Sequence, residues 1–306
     1  MRIGRRGRER ELQSLLERMG RLDGRPVDLY DQGYNATAVP RRPSALRGLL
    51  VLLVVVSLFG AWRFGLLSPL GDFAQARAFV NVNGKPIAIP LPPKNTTRLA
   101  SAVPIGTHGA HAFLYTLPNG KPVGYDPCRP IRYVIRTDGM PSIGEQLITE
   151  SVTEISTLTG LKFEYLGPTT EQPASSRPVI QPSIYGDDWA PVLIAWTSPA
   201  EVPELAGPVA GIGGSAEVPG ADGSGEWLAA GRLALDTKDI TRITAYHDGY
   251  AQAKAVVLHE LAHVVGLDHV QDRAELMFPE TATLTDFGPG DREGLALVGQ
   301  VSCERG

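Results

Sequence analysis

Three histidines and a glutamate fall in one short run, His259-Glu260-Leu261-Ala262-His263-Val264-Val265-Gly266-Leu267-Asp268-His269. On a helix His259 and His263 sit four residues apart, so both rings leave one face a turn apart. Gly266 takes a left-handed backbone conformation at little cost, which stops the helix and swings the chain round. His269 then returns to the same point, giving three imidazoles around a tetrahedral zinc with one corner open. Glu260 lies beside His259 and is expected to face that corner, where a water would sit. The chemistry predicted is metal-assisted attack by water. Three neutral imidazoles leave zinc electrophilic enough to lower the pKa of its water towards about 7. Glu260 would take the proton as general base and pass it to the leaving group.

The spacing His-Glu-x-x-His-x-x-Gly-x-x-His, followed by Glu275-Leu276-Met277-Phe278-Pro279, resembles the metzincin zinc peptidases and, among them, the matrixins. The resemblance implies an α+β, zincin-like catalytic domain: a twisted mixed sheet with an antiparallel edge strand, a zinc helix, a Met-turn and a C-terminal helix. It implies a zinc endopeptidase with one catalytic ion held by His259, His263 and His269, and a protein or peptide as substrate. Met277 would form a soft apolar floor under the ligands. Pro279 stands where some metzincins place a tyrosine, which leaves oxyanion support mainly to the metal. Leu258 and residues 279–285 would line the pocket for the residue after the scissile bond, and Asp268 is a candidate for holding the turn or a ligand.

Residues 207–218 (GPVAGIGGSAEV) occupy the place of the substrate-binding edge strand, with Gly211, Ile212, Gly213 and Gly214 alongside an extended peptide. A glycine-rich loop of no special role is the other reading of this segment. A phosphate loop is disfavoured, because neither a lysine nor a helix follows. Matrixins often carry calcium and a second zinc. Asp222 and Asp236 are calcium candidates that no spacing pattern supports, and His108 and His111 come too early for the second zinc. The propeptide cysteine that often keeps matrixins latent has no counterpart between the apolar segment and Cys128. The alternative is an inactive metzincin-like module that binds peptides or cell-wall partners, and an intact Glu260 argues against it.

The 306-residue chain is 43% apolar, enough for one medium domain with appendages. Its net charge of −4 hides an asymmetry. Residues 1–47 hold eleven arginines, no lysine and six acids, which makes the rest net acidic. Residues 48–62 carry no charge, and flanking Arg47 and Arg63 can snorkel, so residues 47–67 are expected to form one transmembrane helix. The arginines precede it. The positive-inside rule then puts an Arg-rich tail, residues 1–46, in the cytoplasm and the remainder outside the cell membrane. A cleaved signal peptide is the competing reading, since Ala74-Gln75-Ala76 fits a cleavage site. Arginine without interleaved aromatics gives no case for nucleic acid.

Residues 68–106 read as a stalk or lead-in, with a sequon at Asn95-Thr96-Thr97, and the catalytic domain as 107–306. Within it, Asn119-Gly120 signals a hairpin over 113–125, and 131–136 alternates as a strand. Apolar spacing gives a helix over 142–158 ended by Gly160. Further strands are expected at 161–166, 192–196 and 231–236, a surface excursion at 167–190, and a closing helix near 291–301. The two cysteines, Cys128 and Cys303, are expected to pair outside the cytoplasm, with two free thiols as the other reading.

Overall fold

The computed structural model describes residues 77–94, 97–280 and 284–305. The expected cytoplasmic tail and transmembrane helix lie outside these residues. Among the described residues no helix is long and apolar enough to cross a membrane.

A five-stranded mixed sheet forms the frame, ordered β5 (Phe163–Pro168), β4 (Ile131–Arg136), β6 (Val192–Thr197), β8 (Glu226–Asp236), β7 (Gly211–Pro219). The first four run parallel, and β7 pairs antiparallel with β8 at the edge. Strand β6 is buried along its whole length, as its uninterrupted apolar sequence requires when both faces are covered.

Helix α1 (Gly144–Thr159) buries Leu147, Ile148, Val152 and Ile155 along one stripe. It stops at Gly160, which is left-handed at φ 69° and donates its N–H to the Ser156 carbonyl. A second short helix, α2 (Pro182–Tyr185), lies between β5 and β6, and α3 (Thr237–Thr244) follows β8, capped by the Asp236 carboxylate on the Asp239 amide. Helix α4 (Gly249–Val265) is buried nearly all round, sandwiched among α1, β7 and β8. Helix α5 (Pro289–Val298) closes the domain, two residues earlier at its start than the sequence expectation. One core layer lies between the sheet and helices α1, α4 and α5, and includes Ile131, Leu147, Ile155, Trp196, Leu233, Leu261, Val265 and Leu295.

Three expectations need correction. Residues 79–88 are not a loose stalk. They form a hairpin, β1 (Phe79–Val82) and β2 (Lys85–Ala88), turned at Asn83-Gly84 with both residues at positive φ. Val80, Val82 and Ile89 are buried against Val179, Ile180, Ala216 and Val218 in a second core layer. The excursion at 167–190 is likewise partly interior. Glu171 and Arg177 are buried and paired through both guanidinium arms, at 2.7 and 2.9 Å. Burial alone would raise the Glu171 pKa, but Arg177, with Gln181 and Tyr185, overrides it and holds the carboxyl below its ordinary range. Around Asn119-Gly120 the expected hairpin shrinks to a turn with a single bridge, Thr116 to Pro122. Pro118 and Pro122 lack the N–H donors a longer ladder needs.

The expected bond joins Cys128 to Cys303, with Cα atoms 5.5 Å apart. It ties the chain beyond α5 to the start of β4.

Candidate metal centre

Helix α4 ends as its sequence dictates. Gly266 is left-handed at φ 117° and its N–H reaches the Ala262 and His263 carbonyls. The chain turns into the two-residue strand β9 (Leu267–Asp268) and delivers His269. The three Nε2 atoms then form a nearly equilateral triangle: 3.1 Å from His259 to His269, and 3.2 Å from His263 to each of the others. Tetrahedral bonds of about 2.0–2.1 Å would set such edges at about 3.3 Å.

The other ring nitrogens say which atoms are free. His259 Nδ1 donates to the Leu276 carbonyl at 2.7 Å and His263 Nδ1 to the Leu267 carbonyl at 2.8 Å. Each leaves Nε2 as a bare acceptor. Acceptors converging at van der Waals distance repel one another, and a cation resolves that conflict, so this donor set fits zinc. Burial lowers the His259 pKa to about 4, helped by His269, and burial alone brings His269 to about 4. His263 is held well below its ordinary value by burial and by both neighbours. All three are therefore neutral ligands near neutral pH.

Glu260 is 4% exposed. Burial pushes its pKa up to about 8, opposed by a hydrogen bond from the Gly213 amide. That bond marks the closest approach of β7 to α4: a Cβ on Gly213 would overlap the Glu260 carbonyl oxygen, and one on Gly211 would lie 2.8 Å from the Glu260 side chain. Glycine is required there so that the edge strand can lie on the helix backbone.

The raised Glu260 pKa has a sign that can be measured. In the metal-free protein the folded chain keeps this proton between pH 4.5 and about 8, while the unfolded chain has lost it. The stability it contributes is full below pH 4.5 and lost as pH rises through 8. Metal-free Glu260→Gln is therefore expected to gain on the wild type by a few kcal/mol between pH 5 and 8. Urea unfolding at both pH values reads this directly, and a constant difference would refute it. The histidines, which act in the opposite direction below pH 6.5, are common to both proteins.

Met277 is 1% exposed and belongs to the main core cluster, while its carbonyl accepts from the Val270 amide at 3.0 Å. Asp268 accepts from the amide of the next residue, His269, at 2.7 Å. Leu258 is buried, and part of the 279–285 stretch lies outside the described residues. Asp236 is engaged in capping α3, and Asp222 in a tight turn with Ser224. His108 and His111 both face Glu293 on α5. The groups among the described residues that could hold a metal ion are His259/His263/His269 and Asp126 with the two disulfide cysteines.

Three supports of the centre carry no signature in the sequence. Strand β3 (Ala112–Phe113) pairs with β9 and so braces the residues that precede His269. Ser215 donates to the Val264 carbonyl and meets Tyr125, fixing the zinc helix to β7 through a buried polar link. The Asp291 carboxylate, on α5, accepts from the amides of Leu276, Met277 and Gly288.

A mixed sheet with an antiparallel edge strand, packed on a helix bearing two of three converging imidazoles, fits the architecture of a zincin-like metallopeptidase. Residues 211–289 match the matrixin peptidase family, from the first residue of β7 to the first of α5. Over that stretch the chain is similar to the matrixins, which supports a zinc metallopeptidase in general class. None of the curated proteins matches the chain.

Proposed function

We propose that the protein is a zinc endopeptidase that cleaves extracellular proteins or peptides from a membrane-anchored position. The observation that carries the reading is the triangle of Nε2 atoms with 3.1–3.2 Å edges. Held by His259, His263 and His269, zinc would supply Lewis acidity to a water and to the peptide carbonyl it attacks. The chain's own groups do the rest. Glu260 takes the water proton and returns it to the departing amine. Among the described residues, strand β7 has β8 on one side and no strand on the other. Its open edge gives an extended substrate the main-chain partners that fix the scissile bond, with Gly211, Ile212, Gly213 and Gly214 at that edge. Met277 keeps the floor of the centre apolar. Residues 47–67 would hold the domain outside the cell, with residues 1–46 in the cytoplasm.

Metal removal tests the reading. A chelator is expected to abolish cleavage of a peptide library by the purified protein, and one equivalent of zinc to restore it. Cleavage that continues at full rate in a protein shown to be metal-free would exclude the mechanism. A protein that binds one zinc and the library peptides but cuts none would be the inactive module instead.

A further inference from the structure

We infer that Glu275 is a positioning residue for the metal centre, acting on His259 through helix α5 and the Met-turn. The inference rests on the proposed function and deepens it. Glu275 is 1% exposed, and its carboxylate accepts from two backbone amides of the first turn of α5: Gly290 at 2.9 Å to both oxygens, and Asp291 at 2.9 Å. From that same turn Asp291, also 1% exposed, reaches back to the Leu276 amide at 2.5 Å and the Met277 amide at 3.3 Å. The Leu276 carbonyl then accepts from His259 Nδ1. Two buried acids are thus exchanged crosswise: the turn's acid sits on the helix N-terminus, and the helix's acid sits on the turn.

This arrangement is stiffer than a simple cap. A carboxylate taken out of water is costly unless hydrogen-bonded. Here each acid finds backbone donors on the partner element, so sliding α5 against the Met-turn would strand both at once. The joint is also roofed. A Cβ on Gly109 would lie 2.5 Å from the Gly290 amide nitrogen and 2.7 Å from Glu275 Oε1, so the 107–110 segment packs directly onto it. Beyond that segment β3 pairs with β9, whose Leu267 carbonyl holds His263. The position of two ring supports therefore depends on one small interlocked joint, in which Glu275 is fully buried.

The test uses the full chain carrying cobalt(II) in place of zinc, which reports ligand geometry by its visible spectrum. Glu275→Gln, whose amide brings a donor to face the donors of α5, is expected to change that spectrum, to weaken metal binding by about tenfold, and to lower kcat with little change in KM. Gly109→Ala wedges the same joint from the other side with the carboxylate left in place, and is expected to do the same. It carries the test should Glu275→Gln fail to fold. Ile89→Ala, a cavity in the second core layer, serves as the control for lost stability alone and is expected to leave spectrum and affinity unchanged. Wild-type spectrum and affinity in the Glu275 and Gly109 variants would overturn the inference and leave Glu275 a helix cap. Metal loss of the same size in Ile89→Ala would overturn it too. A wild-type chain that takes up no cobalt would instead overturn the reading of the site, and that is seen before any variant is made.

Discussion

Glu260→Gln is expected to retain one zinc per chain and to lose about 10²–10⁴-fold in kcat, the range for a positioned general base. The three ligands are untouched, and the glutamine oxygen can still accept from the Gly213 amide, so β7 should stay seated on α4. What is lost is the only acid that the zinc helix places next to a ligand. KM should move little, because the edge strand and the pocket walls do not change. Steady-state kinetics on one peptide, with zinc content measured on the same sample, decides the point. Full activity with zinc in place would remove Glu260 from the mechanism. Loss of zinc together with activity would give it a structural role instead.

Arg177→Met is expected to lower stability by about 3–5 kcal/mol, because it leaves Glu171 buried without its guanidinium. For a domain of this size that amounts to roughly 6–20 °C in Tm. Arg177 also donates to the carbonyls of Ala230, Gly231 and Pro191, so its loss loosens the join between the 167–190 segment and strand β8. Replacing both partners by apolar residues, Glu171→Leu with Arg177→Met, should recover a large part of the loss. Thermal unfolding of the single and double variants tests this. A single variant within about 1 kcal/mol of wild type would mean that water reaches the pair and that the segment is a surface loop after all.

The metal centre was the most legible part of the sequence, because its geometry follows from short-range rules. Helical spacing sets His259 over His263, and the positive φ required after Val265 falls on the one residue type that takes it freely. The sheet strands were equally plain: 131–136 alternates, and 192–196 is an unbroken apolar run because β6 is buried on both faces. The failures share a cause. Glu171 and Arg177 look like solvent-facing residues in a Pro/Ser-rich stretch, and only their pairing across the fold makes them interior. The lead-in hairpin carries Asn83-Gly84 between alternating residues, the same signal used at Asn119-Gly120, yet the surrounding prolines and asparagines masked it. At 119–120 the reverse happened: the signal was right about a turn, and flanking prolines prevented the ladder. The β3–β9 pair and the Glu275–Asp291 exchange depend on residues 14 or more apart in sequence, and no local pattern announces them.

The bond between Cys128 and Cys303 encloses the edge strand, the zinc helix and the Met-turn in a single covalent ring of 175 residues' separation. A peptidase is its own nearest substrate, and exposed loops are where self-cleavage begins. One cut anywhere inside that ring opens it without releasing a fragment. The two ends stay attached through the disulfide, so a chain nicked there remains one covalently joined molecule.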